Sequence, residues 1–175
     1  SLECYSRREL RNLGIKTLID LRTSSETGRQ SPLQKEFNVV HIPLATGDME
    51  NILKGIREEK IKRDTVSRMV EQMNRDLIDK YTTEYRQIFD ILLDKNSYPV
   101  VIHCSSGKGR TGIVSALVLA ALGINEDIIM EDYRLSNDYF NIPSASKDAY
   151  QLPARSQEAI TTLFSAREDF LNAAK

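Results

Sequence analysis

The sequence predicts an α/β fold, a mostly parallel central sheet flanked by helices. Three observations predict it. Residues 15–21, 37–44 and 99–104 are short runs rich in β-branched residues and bounded by turn residues, as strands are. Between and after them, apolar residues recur every three or four positions, as on one face of a helix. Strands separated by helices favour parallel pairing, because a parallel neighbour is reached only through a long crossover.

Taken in order, Ser6-Arg-Arg-Glu9 has the spacing of a capping box. The short helix it opens carries Leu10 and Leu13 on one face and stops at Gly14. Residues 15–21 read as a buried strand, and the polar stretch 22–36 as loop with a helical turn. Residues 37–44 form the second strand. Residues 45–62 hold Gly47, Gly55 and much charge, and are expected to be a mobile loop or a short helix. Over 64–79, Val66, Met69, Val70, Met73 and Leu77 recur with helical spacing, and the methionines on that face are expected in the core. A second helix follows with Tyr85, Ile88, Phe89 and Leu92 on its apolar face. Residues 99–104 are the most apolar strand, and 111–122 a buried helix ending at Gly123. Residues 126–140 read as helix with Ile128, Ile129, Tyr133 and Leu135 as apolar positions. Pro143 and Pro153 bracket a loop, and one last helix runs from about Arg155.

A length of 175 residues suits one domain, expected over residues 1–175. Lys and Arg number 24 against 25 Asp and Glu, a formal charge of −1, which argues against a general nucleic-acid binder. With 41% apolar and 28% charged residues, the chain has material for a core and a solvated surface, and disorder is excluded. Two cysteines, Cys4 and Cys104, are too few for a disulfide scaffold and fit a reduced, cytoplasmic protein. Neither they nor the two histidines have ligand spacing, so no metal site is expected. The start, SLECYSRREL, lacks the apolar run of a secretory signal, and the longest apolar stretch, 113–124, is too short to span a membrane.

One loop carries chemistry. His103-Cys-Ser-Ser-Gly-Lys-Gly-Arg-Thr-Gly112 lies between the strongest strand and the most apolar helix. A helix N-terminus presents unpaired backbone N–H groups and the positive end of the helix dipole, a natural phosphate site. The backbone from Ser105 and Ser106 through Gly107, Lys108 and Gly109 would line it, with Gly107 and Gly109 freeing the chain to turn its N–H groups inward. Arg110 adds a planar fork for two phosphate oxygens. The same field lowers the pKa of the Cys104 thiol, and a thiolate beneath a bound phosphoryl group is a nucleophile. The Thr111 hydroxyl can donate to that sulfur and stabilise it as a leaving group. His103 is expected to orient the loop through hydrogen bonds.

Cys-x5-Arg-Thr after an apolar strand resembles the signature of cysteine-dependent protein tyrosine and dual-specificity phosphatases. Asp20-Leu-Arg22 with Glu26, His41-Ile-Pro-Leu44 and Asp132-Tyr-Arg-Leu-Ser-Asn137 narrow the resemblance to the bacterial tyrosine-protein phosphatases with a lipid-phosphatase-like loop. The resemblance covers about residues 14–140. It implies a phosphatase-like fold, a phosphocysteine intermediate on Cys104, a phosphate clamp at Arg110 and no cofactor. It also implies a general acid, and here the chain departs from the pattern. Relatives of that group often carry aspartate before the loop arginine, where this chain has Gly109. Asp48, after His41-Ile-Pro-Leu44, stands where related enzymes place an acid on a movable loop, with Asp76 and Asp138 in reserve. Asp20, Arg22 and Glu26 are expected to form an ion-paired brace behind the loop. Asp132 and Asn137 are expected to be structural, and Arg134 is equally readable as a solvated helix charge.

Lys108 leaves two readings open. Ser-Gly-Lys-Gly-Arg-Thr-Gly is similar to the loop of eukaryotic phosphoinositide phosphatases, whose lysine engages further phosphates on the inositol ring, and a mobile point charge suits that use. Alternatively it adds positive potential for any phosphate ester. The expected substrate is a phosphotyrosine protein, extending to phosphoserine and phosphothreonine, with phosphoinositides or inositol polyphosphates, and transient contact with a membrane surface, as the alternative. Two rivals remain. Gly107-Lys-Gly-Arg-Thr-Gly112 also spells a dinucleotide fingerprint, but its ribose-binding acid, at Glu126 or Asp127, should end a strand and here starts a helix. A catalytically silent phosphate-binding module is the other.

Overall fold

The computed structural model describes residues 7–27, 32–139 and 151–174. All three expected strands form: β1 (Thr17–Asp20), β2 (Asn38–His41) and β3 (Val100–His103). They make one parallel sheet in the order β2-β1-β3. Asp20 stands in register with His41 on one side and His103 on the other, so the carboxyl ends of the strands are flush. The loops leaving them converge on one edge, the edge at which open parallel sheets bind ligands.

The helices are α1 (Arg7–Asn12), α2 (Ser24–Thr27), α3 (Met49–Arg57), α4 (Arg63–Lys80), α5 (Thr82–Leu93), α6 (Gly109–Ala121), α7 (Glu126–Tyr139), α8 (Ala154–Phe164) and α9 (Glu168–Asn172). Every residue of β1 is buried, as befits a central strand. The pleat sends its neighbours to opposite faces. Leu18 packs with Leu10 and Phe37, while Ile19 enters the main core with Ile42, Leu44, Ile88, Ile113 and Val114. A second core joins α3, α4, α8 and α9 through Ile52, Ile56, Val66, Val70, Ile160 and Phe170. Helix α4 links the two: Val66 and Val70 bury in the second core and Leu77 in the first. At about 1.5–3 kcal/mol per fully buried aliphatic side chain, that stripe is enough to hold α4 across both. Met69 and Met73 pack partly buried against the second core, as expected of them.

Several details differ from expectation. Of the two forms expected for 45–62, a mobile loop or a short helix, residues 49–57 take the helix, capped by Asp48. On α7 the buried residues are Met130 and Tyr133, whereas Ile128 and Leu135 are 55% and 47% exposed. Met130 lies about 200° around a helix from Ile128, so the two cannot face one core. The single last helix is two, separated by an extended break at 165–167. There the backbone turns to side chains: Asn137 donates to the Ala166 carbonyl at 2.9 Å and accepts from the Ala166 N–H at 2.7 Å. Asn74 donates to the Phe170 carbonyl at 2.7 Å. Cys4, the Ser6 cap and Pro143 lie outside the described residues. Among those described, no helix is long and apolar enough to cross a membrane.

Candidate active site

The site grows from the end of β3. After His103 the chain bends through 104–108 and enters α6 at Gly109, so a strand delivers Cys104 to a helix N-terminus. Gly107 takes a φ of +73°, where a Cβ would be strained. That turn points the Gly107 N–H at the Cys104 sulfur, 3.2 Å away. The Thr111 hydroxyl donates to the same sulfur at 3.2 Å. Cys104 is only 2% exposed, and burial alone would raise its pKa. The Thr111 bonds, the Arg110 charge and the Gly107 N–H outweigh burial and bring the thiol below its ordinary value.

Arg110 gathers all three strand-end loops. Its Nη1 donates to the carbonyls of Leu21 and Leu44, each at 3.2 Å, and to Glu26 Oε2 at 2.7 Å. Its Nη2 donates to Glu26 Oε1 at 2.6 Å. Burial opposes the Arg110 charge, but Glu26 and the Cys104 thiolate more than restore it. Glu26 also accepts from Ser105 Oγ at 2.6 Å and from the Thr23 N–H at 2.9 Å. Burial works against its charge too, yet these donors hold its carboxyl down to about 2.

The expected brace is therefore smaller than its three members. Asp20 and Arg22 form a buried ion pair, with Arg22 Nε and Nη2 donating at 3.0 and 2.9 Å. Glu26 turns away from them to Arg110, because α2 carries it past the end of β1 to the loop. His103 Nε2 is 3.9 Å from Asp20, beyond hydrogen-bonding distance, and Nδ1 has no partner among the described residues. Burial keeps the imidazole below its usual pKa, against the nearby Asp20 charge and a hydrogen bond to the backbone of Cys104.

Lys108 departs from one of its two readings. It is no mobile charge at the mouth: it is 6% exposed, and Nζ donates to the carbonyls of Leu163 and Ser165, both at 2.9 Å. The backbone bend before α6 turns it inward to the C-terminal end of α8. With Cys104 and Arg110 it shares a cavity of about 80 Å³ whose apolar walls include Met49, Met73 and Phe164.

Asp48 is the N-cap of α3, accepting from the Asn51 N–H at 3.0 Å and from Asn51 Nδ2 at 2.6 Å. It lines a second cavity of about 540 Å³ with Glu26, Ser105, Ser106 and Arg110, so the fold brings it to the loop. Of the reserves, Asp76 is engaged with Gln72 and Lys80 on α4, and Asp138 is exposed on α7. Neither lines the two cavities at Cys104 and Arg110. Asp132 is exposed, Asn137 ties down Ala166, and Arg134 pairs with Glu168 at the surface. Glu126 and Asp127 sit in the first turn of α7, so the acid that a dinucleotide site needs at a strand end is not there.

Sequence reading missed the Glu26–Arg110 pair and the walls at Met49 and Phe164. The pair had one local signal, a glutamate six residues beyond the Asp20 strand end; the walls had none.

The strand-end loops of the parallel sheet thus meet on a buried Cys-x5-Arg helix entrance. The chain belongs to the tyrosine phosphatase family, whose sequence profile matches residues 2–175. It is 34% identical over 187 aligned residues to the triple specificity protein phosphatase PtpB of Mycobacterium tuberculosis, covering 93% of this chain and 64% of that protein. It is 26% identical over 136 residues to a tyrosine-protein phosphatase of Nostoc commune, covering 76% of this chain and 44% of that protein. The chain thus spans less than two thirds of the length of these curated relatives.

Proposed function

We propose that this chain is one phosphatase domain that hydrolyses phosphomonoesters through a phosphocysteine intermediate. The observation that carries the reading is the double donation to one buried sulfur, from the Thr111 hydroxyl and the Gly107 N–H, beside the Arg110 guanidinium. The donors favour the thiolate form of that sulfur, next to an anion pocket.

The Cys104 thiolate attacks phosphorus, forming the P–S bond as the P–O ester bond breaks. Asp48 gives a proton to the departing oxygen. The Asp48 carboxylate then takes a proton from water, and the hydroxide attacks phosphorus. The P–S bond breaks, releasing inorganic phosphate and the thiolate that Thr111 stabilises. Arg110 and the backbone N–H groups of the loop other than that of Gly107, which donates to the sulfur, hold the equatorial oxygens throughout.

The substrate we infer is a phosphotyrosine protein, extending to phosphoserine and phosphothreonine. The triple specificity of the mycobacterial relative supports that breadth. The apolar walls at Met49 and Phe164 support an aromatic ester. A thiolate nucleophile suits a reducing, cytoplasmic compartment.

The test is release of p-nitrophenol from p-nitrophenyl phosphate without added metal. Cys104→Ser should abolish turnover while inorganic phosphate still binds. A Cys104→Ser protein as active as the wild type would overturn the reading.

A further inference from the structure

Lys108 is a buried cation whose side chain the mechanism above does not use. Its ammonium has three N–H donors, and two are committed to the carbonyls of Leu163 and Ser165. Leu163 is in the last turn of α8, where unpaired carbonyls form the negative end of the helix dipole and favour a cation. Among the described residues no carboxylate pairs with Lys108. Cys104 lines the same cavity, where a thiolate would favour the ammonium. The segment it grips is held from two further sides, by Asn137 at Ala166 and by Asn74 at Phe170.

On the phosphatase reading, which it presupposes, we propose that Lys108 is a positioning residue for the nucleophile: anchored from behind on α8, its ammonium favours the Cys104 thiolate and does not serve as a contact for a second substrate phosphate. To reach a neighbouring phosphate on an inositol ring, the side chain would have to abandon two buried carbonyls and leave them unpaired. Held where it is, it adds positive charge beside the sulfur whichever ester is bound. Burial lowers its own pKa to about 8, so it is still mostly charged near neutrality. Thr111, the Gly107 N–H and Arg110, the last paired with Glu26, bring the thiol below its ordinary value.

The experiment compares wild type with Lys108→Met and Lys108→Gln. The first readout is the pH dependence of Cys104 alkylation by iodoacetamide. The second is kcat and KM for p-nitrophenyl phosphate and for a soluble phosphoinositide. Loss of the charge should raise the alkylation midpoint by about one pH unit. It should lower kcat for both substrates by the same factor. An unchanged midpoint, or a loss confined to the phosphoinositide, overturns the proposal. Lys108→Gln keeps an N–H donor for the α8 carbonyls, so the outcome does not hang on the folding of Lys108→Met. Wild-type protein without turnover would sink the phosphatase reading instead, while the alkylation midpoint would still report on Lys108.

Discussion

The guanidinium of Arg110 and the carboxylate of Glu26 meet as two forks, Nη1 to Oε2 at 2.7 Å and Nη2 to Oε1 at 2.6 Å. The pair joins the loop after β1 to the first turn of α6 and, on the proposed mechanism, fixes the plane in which Arg110 meets the phosphate. Hydrogen bonds to a charged partner contribute about 1.5–3 kcal/mol, which converts to about a ten- to hundredfold change in rate. Glu26→Gln should lower kcat/KM for p-nitrophenyl phosphate by that range. Steady-state kinetics decide it, and an unchanged kcat/KM would show that Arg110 needs no such brace.

Acid should destabilise the fold in stages. Burial depresses the His103 pKa below 6.5, so its contribution is complete above about pH 6.5 and falls as the imidazole is forced to protonate. Glu26, held near 2 against 4.5 unfolded, contributes fully above about pH 4.5 and loses that contribution as pH drops toward 2. Asp20, lowered from 3.8 by Arg22 against the cost of its burial, behaves likewise below about pH 4. Thermal unfolding between pH 7 and 3 should show a falling Tm, and Glu26→Gln should flatten the limb below about 4.5.

Asp48 serves as helix cap and, on the proposed mechanism, as acid, and substitutions separate the two. Asparagine caps as well as aspartate does, whereas alanine costs about 1 kcal/mol. Asp48→Asn should leave stability near wild type yet slow esters with poor leaving groups more than p-nitrophenyl phosphate. Asp48→Ala should show the same kinetics and also a lower urea midpoint. If Asp48→Asn treats all leaving groups as wild type does, the acid lies elsewhere.

Gly109 is open enough to test the acid by transplantation. A Cβ built there meets nothing within 4 Å, so the aspartate that relatives often carry before the loop arginine can be accommodated. Adding Gly109→Asp to Asp48→Asn should recover part of the rate on poor leaving groups. No recovery would mean that this backbone does not aim residue 109 at the departing oxygen.

Gly112 has the opposite environment. A Cβ would lie 2.7 and 2.8 Å from two atoms of the Tyr133 ring, and that ring is buried between α6 and α7. Gly112→Ala should force the helices apart and cost about 1–3 kcal/mol, read as a lowered urea midpoint. Wild-type stability would show that Tyr133 yields without penalty.

Cys104, Gly107, Arg110 and Thr111 lie within eight residues of each other, so one strand–helix junction specifies their relation and the motif was readable without any fold. The strands were readable for the same reason, since each run of β-branched residues is local. Glu26 and Arg110 are 84 positions apart, and Lys108 and Leu163 are 55 apart. No window of sequence records that β1 and β3 end flush, or that α8 closes behind the loop. Sheet register decided that Glu26 joins Arg110 and leaves the Asp20–Arg22 pair, and helix docking decided that Lys108 faces inward. The side of α7 that meets the core was chosen the same way, burying Met130 and leaving Ile128 in water. Short-range order follows from backbone preferences of neighbouring residues, whereas the partner of a charged side chain depends on which distant surfaces the core brings together.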